Sequence, residues 1–418
     1  MNVTPSLSAA DHAVKLDRLA ETAVRVGLGL RDGQELVVTA PVEALDLARR
    51  VTEHAYRAGA SLVTVILNDD EQSLLRYRHA RDESFDAAPA WLFEGMAQAY
   101  RNGAARLAIV GDDPTLLAGQ ETSKVARVNR ARSKAYSPAL ELIASFAINW
   151  TIIAAATPAW ARCVFPNDTE DRALRKLWDA IFSASRVDVA DPASEWAAHN
   201  AALARRTATL NARRFHALHF RGPGTDLFVG LADDHEWAGG ASTAKNGIVC
   251  NANIPTEEVF TTPHRARVSG HVRASKPLSY MGALIEDIAV RFENGRIVEA
   301  DARSGADVLH NVLNTDEGAS HLGEVALVPW SSPISKSGLL FFNTLFDENA
   351  ASHIALGQAY SKCFVNGDRL SEAELAARGA NRSLIHIDWM IGSAEMDVDG
   401  LDTGGGRSAV MRAGEFVI

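Results

Sequence analysis

The stretch Ser383-Leu-Ile-His386-Ile-Asp388-Trp-Met sets a histidine and an aspartate two residues apart inside an otherwise apolar run. In an extended strand, side chains at i and i+2 point to the same face, so the imidazole of His386 and the carboxylate of Asp388 converge on one point. Burying both in apolar surroundings costs free energy unless something pairs with them, and a divalent cation satisfies the two at once. A hydrogen-bonded His–Asp pair at a strand end is the other reading of this motif taken alone.

Three further segments in the same half of the chain carry the same residue types. They are Asn253-Ile-Pro-Thr-Glu257-Glu258-Val-Phe-Thr, Gly318-Ala-Ser-His-Leu-Gly-Glu324-Val-Ala-Leu-Val and Phe346-Asp-Glu348-Asn-Ala-Ala-Ser-His353-Ile-Ala-Leu-Gly-Gln-Ala-Tyr360. Five candidate metal ligands result: Glu258, Glu324, His353, His386 and Asp388. Carboxylates and neutral imidazoles suit zinc, cobalt or manganese, and a carboxylate can bridge two cations. Two cations about 3.5–4 Å apart can hold a hydroxide between them and polarise a scissile carbonyl, which is the equipment of peptide-bond hydrolysis.

Each residue also has a plainer reading. Glu324 could be a strand-end acid, and His353 a core histidine with its hydrogen bonds met. Glu257 and Glu258 are adjacent and face opposite ways in an extended segment, so one can ligate while the other is a structural or solvent partner. Glu348 could orient His353, bind the metal or lie on an exposed turn. The run Ala350 to Tyr360 reads as helical apart from Gly357, which would put His353 and Tyr360 on one face two turns apart. A tyrosine there can donate a hydrogen bond to an oxyanion, although most helical tyrosines belong to the core. His264, His310 and His321 lack comparable support and read as loop or surface residues.

The chain around these residues has 418 positions, is 47% hydrophobic and carries a formal net charge of −10. It can bury a large core, and its length favours two domains over one. The acidic balance argues against nucleic acid and anionic membrane surfaces as partners. Cys163, Cys250 and Cys363 form no CxxC pattern and are odd in number, which points to a reducing compartment and a cytoplasmic protein. The stretch Met1 to His12 has no basic segment leading into an apolar core of signal-peptide length, so secretion is not expected. The uncharged run from Leu142 to Ala161 is interrupted by Ser145, Asn149, Thr151, Thr157 and Pro158, and reads as a buried strand with flanking turns.

From Leu16 to Pro158, short β-branched runs alternate with amphipathic stretches. Strands are expected at 34–40, 61–67 and 105–111 and from Ile148, with helices at 41–58, 91–102 and 121–132. That alternation implies a parallel sheet covered on both faces. No GxGxxG or GxxxxGK[ST] follows any strand, so this domain is expected to shape a site and not to cradle a phosphate. Asp69-Asp70-Glu71 reads as a solvated first turn of a helix. A helix over 190–212 then leads into a half made mainly of antiparallel strands, where Glu293-Asn-Gly-Arg296 is a hairpin signal. The expected architecture is an α/β N-terminal domain with a parallel sheet over 1–212, and an α+β C-terminal domain rich in antiparallel strands over 213–418 that carries the metal site.

Pro255-Thr-Glu257-Glu258-Val-Phe-Thr, His321-Leu-Gly-Glu324-Val-Ala-Leu, Ala351-Ser-His353-Ile-Ala-Leu-Gly-Gln-Ala-Tyr360 and His386-Ile-Asp388-Trp-Met-Ile-Gly-Ser resemble the metal-binding segments of the thermophilic aminopeptidase T family, which includes aminopeptidase S. The N-terminal stretch, with Gly33-Gln34 before a strand and Ala55-Tyr56-Arg-Ala-Gly59-Ala60 ending a helix, is similar to that family as well. The resemblance covers nearly the whole chain and implies a cytosolic, usually dimeric, dinuclear metallo-aminopeptidase that removes N-terminal residues from small peptides. By motif position it implies Glu258, Glu324, His353, His386 and Asp388 as ligands of two divalent ions, with Glu324 as the bridge. It further implies Glu348 as an additional carboxylate and Tyr360 in a transition-state role; the mechanism expected from this set has Glu324 or Glu348 moving the proton to the leaving amine. Two other readings stay open. His353, His386 and Asp388 alone satisfy the two-histidine, one-carboxylate set of mononuclear iron(II) ring-cleaving dioxygenases, which have no evident need of Glu258 and Glu324. A silent binding protein on the same fold would have lost a ligand or the tyrosine, and none is missing.

Overall fold

The structure, a computed structural model, describes residues 9–280 and 283–418. The expectation about a signal segment falls largely on residues 1–8, outside the described ones. The chain forms two compact units, one built from residues up to Ala198 with Ala241–Pro255 and the other from His199–Gly240 with Thr256–Ile418.

The first unit is an α/β layer. Strands Glu35–Pro41, Leu62–Asn68, Ala105–Val110 and Trp150–Ala154 are all parallel and lie in the spatial order second, first, third, fourth. Their buried positions follow the β-branched runs, with Val38 opposite both Val65 and Leu107. The helix Leu45–Arg57 buries Leu47, Ala48, Val51 and Ala55, one stripe at helical spacing. It starts later than the expected Pro41 because Pro41 still has strand backbone and Val42–Ala44 form a 3₁₀ turn. The helix expected over 121–132 runs from Thr122 to Ala144. Asp69 caps the helix Asp70–His79 by accepting the Glu71 N–H at 3.0 Å, as a solvated first turn should. Within the uncharged run from Leu142 lies the buried strand Trp150–Ala154, and among the described residues no helix is long and apolar enough to cross a membrane.

The observed division differs from a single cut at 212/213. Residues 241–255 return to the first unit because their backbone extends its sheet: the Ile152 N–H donates to Ala252 O at 2.8 Å and the Ile254 N–H to Ile152 O at 3.0 Å. At the other end the division falls inside the helix Pro192–Arg213.

The second unit holds an eight-stranded sheet whose paired strands all run antiparallel, and a four-stranded antiparallel sheet. The hairpin between Ala289–Glu293 and Arg296–Asp301 turns on Asn294 and Gly295, both at positive φ (48° and 83°). The smaller sheet has the spatial order His386–Met390, His353–Gly357, Leu322–Leu327, Val259–Thr261. Its Val325, Leu327, Ile354, Leu356 and Trp389 share one hydrophobic core with Leu218, Phe220, Leu227 and Val229 of the larger sheet. Trp389 is therefore a core residue on the face opposite its neighbour Asp388.

His353–Gly357 overturns the helix expected over Ala350 to Tyr360. The segment is paired on both sides, Ala355 lying between Glu324 of one neighbour and Asp388 of the other. Central-strand pairing and burial on both faces override the helix propensity of Ala and Leu. Gly357 sits in this strand at φ +100°, and a Cβ there would lie 2.1 Å from Ile385 O. Gly357→Ala is expected to lower the unfolding free energy by about 2–4 kcal/mol through positive-φ strain and the clash. Urea denaturation followed by tryptophan fluorescence checks this, and a loss below about 0.5 kcal/mol would contradict the geometry.

Candidate metal centre

The period-two rule places every charged residue of the small sheet on the face that the core does not use. Glu324, Ala355 and Asp388 form one row across three strands, with His353 two residues before Ala355 and His386 two before Asp388. Ala326 pairs with both His353 and Phe260, and Glu258 stands two residues before Phe260 at the entry to its strand. Four segments far apart in sequence thus deliver five side chains to one surface. The small residues in the middle, Ala326, Ala355 and Gly357, leave room above the sheet for the longer side chains to meet.

They do meet. His353 Nε2 lies 3.2 Å from Glu258 Oε2, 3.7 Å from Glu324 Oε1 and 3.9 Å from Asp388 Oδ1. His386 Nε2 lies 3.6 Å from Glu324 Oε2 and 3.5 Å from Asp388 Oδ1. Two groups of three could hold a cation, Glu258 with Glu324 and His353, and Glu324 with His386 and Asp388; within each, the ligand atoms lie no more than 4.8 Å apart. Glu324 belongs to both. Ligand atoms about 2.0–2.2 Å from one tetrahedral ion must stand roughly 3.3–3.6 Å from one another, close to the separations seen here.

The hydrogen bonds fix the imidazoles for this role. His353 Nδ1 lies 3.1 Å from the carbonyl of Ala351 and His386 Nδ1 lies 2.7 Å from that of Gln358. A carbonyl only accepts, so both Nδ1 atoms carry the proton, and in the neutral ring Nε2 turns a lone pair toward the carboxylates. Lone pair against carboxylate is repulsive, and either a proton or a cation must stand between them. Glu258 Oε2 is buried and, among the described residues, accepts no well-directed hydrogen bond despite its closeness to His353. Nitrogen and carboxylate donors of this kind fit a borderline or hard divalent ion.

The titration behaviour follows from burial and like charge. Burial raises the carboxyl of Glu324, and Glu258 and Asp388 add to it against the opposing contact with His353. Glu348 stands well above the usual carboxylate range, first through burial and then through the charges of Glu258 and Asp388. Burial alone would lower His353, but Glu258, Glu324 and Asp388 lift it well above the ordinary imidazole value; the same balance brings His386 to about 9. Asp388 is lowered because the two imidazoles outweigh its burial. Burial also pushes the Cys363 thiol, next to Phe260 and Ala326, up to about 12, so it stays protonated and is a poor ligand.

Tyr360 follows the strand, just ahead of the 3₁₀ turn Ser361–Cys363, and does not sit two helical turns from His353. It still reaches the cluster, its ring centre 4.6 Å from that of His386. With 40% of its surface exposed it borders the site, and burial of the phenol together with Glu324, Asp388, Glu348 and Glu258 raises its pKa, keeping the hydroxyl a donor. Glu257 and Glu258 separate as their adjacency requires: Glu257 lies 3.9 Å from His199 Nε2, and Glu258 faces His353. Three histidines stay outside the cluster. His310 is exposed and His264 half-buried, whereas His321, read as loop or surface, is buried with Nδ1 donating to Arg265 O at 2.9 Å. A residue that sequence reasoning passed over is Asn349, whose buried amide bonds to the backbone of Glu257 and to Glu348. No spacing rule singles out a lone asparagine after a glutamate.

Comparison with known proteins agrees with this arrangement. The family described as thermophilic metalloprotease (M29) matches residues 12–416. Aminopeptidase T of Thermus thermophilus is 57% identical over 403 residues, covering 96% of this chain and 98% of that protein. Aminopeptidase AmpS of Bacillus subtilis is 42% identical over 402 residues, with 96% and 98% covered. The solved structure of wild-type AmpT from Thermus thermophilus superposes with a TM-score of 0.92 at 56% identity, over 97% of this chain and 99% of that one. With a family match across nearly its whole length and relatives this similar, the chain belongs to the thermophilic metalloprotease (M29) family.

Proposed function

We propose that this protein is a metallo-aminopeptidase that removes N-terminal residues from small peptides at a two-cation centre on the small sheet. The observation that carries the reading is the sharing of Glu324 between two ligand groups, one completed by Glu258 and His353 and the other by His386 and Asp388. Glu324 is the bridging ligand, and Glu348 supplies a further carboxylate. Zinc, cobalt or manganese suits these donors. Bound there, such ions would supply Lewis acidity toward the scissile carbonyl, make an attacking water acidic and take the free amine of the substrate as a ligand, which ties cleavage to the N-terminus.

The chain's own residues supply the rest. The Tyr360 hydroxyl, kept protonated by its surroundings, donates to the oxyanion that forms as the carbonyl is attacked. Glu348 takes the proton of the attacking water and delivers it to the departing amine. The mononuclear iron reading gains no support, because His353 and His386 fall in different ligand groups and the relatives bear aminopeptidase names. A cytoplasmic homodimer is the assembly this reading adopts, in keeping with the scattered cysteines and the family resemblance.

Glu324→Gln removes the shared ligand. It is expected to cut hydrolysis of a leucyl anilide by about 10²- to 10⁴-fold and to reduce bound zinc below two ions per chain. The melting temperature of the metal-stripped variant should stay at or above that of the stripped parent, since a buried like charge has gone. Unchanged turnover and metal content would refute the assignment. Tyr360→Phe separates chemistry from binding: kcat should fall about 10²- to 10³-fold with the metal content intact. A full-rate Tyr360→Phe enzyme would remove the phenol from the mechanism.

A further inference from the structure

Asn349 is 0% exposed and joins two parts of the site. Its Oδ1 accepts the N–H of Glu257, the residue immediately before Glu258, at 2.7 Å. Its Nδ2 donates to Leu345 O at 3.0 Å and to Glu348 Oε1 at 3.4 Å. Its own carbonyl accepts from Ser332 Oγ at 3.0 Å, and that hydroxyl also receives the Ser335 N–H at 3.0 Å. A buried amide is costly unless its groups are matched, and here both ends of the side chain have partners. The set of partners is what is informative. One end fixes the backbone that carries Glu258, and the other reaches the carboxylate of Glu348.

We infer that Asn349 is a positioning residue that sets where Glu258 and Glu348 stand, and so governs the affinity of the cation position lined by Glu258 and His353. Asn349 does not touch the ion. It acts as outer partners of ligating carboxylates do, aiming the oxygens. The position completed by His386 and Asp388 takes its geometry from strand pairing with His353–Gly357 and from Gln358 O, and Asn349 hydrogen-bonds to neither. Loss of Asn349 should therefore be felt at one cation position and not at both. This inference rests on the two-cation reading above.

The test is a zinc titration of the metal-stripped full-length protein, with a chelating indicator reporting both stoichiometry and affinity. Asn349→Ala is expected to keep one tight ion and to weaken the other about 10- to 100-fold. Saturating zinc should restore kcat in this variant, whereas it should not in Glu324→Gln. Ser332→Ala is the structural control: it loosens the same loop through the Asn349 carbonyl and should lower the melting temperature while leaving both zinc affinities unchanged. Where Asn349→Ala fails to fold, Asn349→Asp keeps the shape and the acceptor for the Glu257 N–H but cannot donate to Glu348, and a smaller, few-fold weakening confined to the same cation position is expected. Two wild-type affinities in the folded variant, or equal losses in Asn349→Ala and Ser332→Ala, would overturn the positioning role. A parent protein that binds a single zinc would instead overturn the two-cation reading, and an unchanged affinity of that ion in Asn349→Ala would overturn the positioning role as well.

Discussion

Three carboxylates and two imidazoles drawn onto one face of a buried sheet, with the Glu348 carboxylate close enough to feel their charge, set the electrostatic condition on which the site depends. Carboxylates in such proximity repel, and burial makes each charge harder to hold. The histidines cannot relieve this as neutral rings, because their Nδ1 protons are committed to the carbonyls of Ala351 and Gln358 and their Nε2 lone pairs face the acids. In the bare protein the balance is met by protons, which is why His386 rises to about 9 and Glu324 and Glu348 rise as well. Divalent charge meets the same condition without neutralising the ligands, and metal binding in such a site displaces protons.

The fold serves that condition through two simple features. Alternation along the strands sends Val325, Leu327, Ile354, Leu356 and Trp389 into a core shared with the larger sheet, and the intervening residues to the site. Antiparallel register then aligns Glu324, Ala355 and Asp388 in one row, so the relative placement of three segments depends on backbone hydrogen bonds and not on flexible side chains. A one-residue slip of any of these strands would send its histidine or acid into the core, which ties the integrity of the site to the packing on the other face.

Much of this was legible in the sequence where a local rule governs. The i, i+2 spacing of His386 and Asp388 in an apolar run gave both the strand and the shared face, and Asn294-Gly295 gave the hairpin, since a two-residue turn at positive φ admits few alternatives. The βαβ alternation gave the parallel sheet. Non-local pairing was not legible. Ser352-His353-Ile-Ala-Leu-Gly357 has the composition of a helix, and only its two neighbouring strands, distant in sequence, make it a central strand. Tyr360 kept its proximity to the cluster although the helical reason for it was wrong. Return of residues 241–255 to the first unit depends on backbone bonds to Ile152, and the place of Asn349 on a loop closure; neither leaves a periodic trace.

Anomalous diffraction from zinc-loaded crystals, collected on both sides of the zinc absorption edge, tests the central claim most directly. Two peaks about 3.5–4 Å apart are predicted, with Glu324 contacting both, Glu258 and His353 at one and His386 and Asp388 at the other. A single peak, or peaks on side chains away from Glu324, would contradict the account.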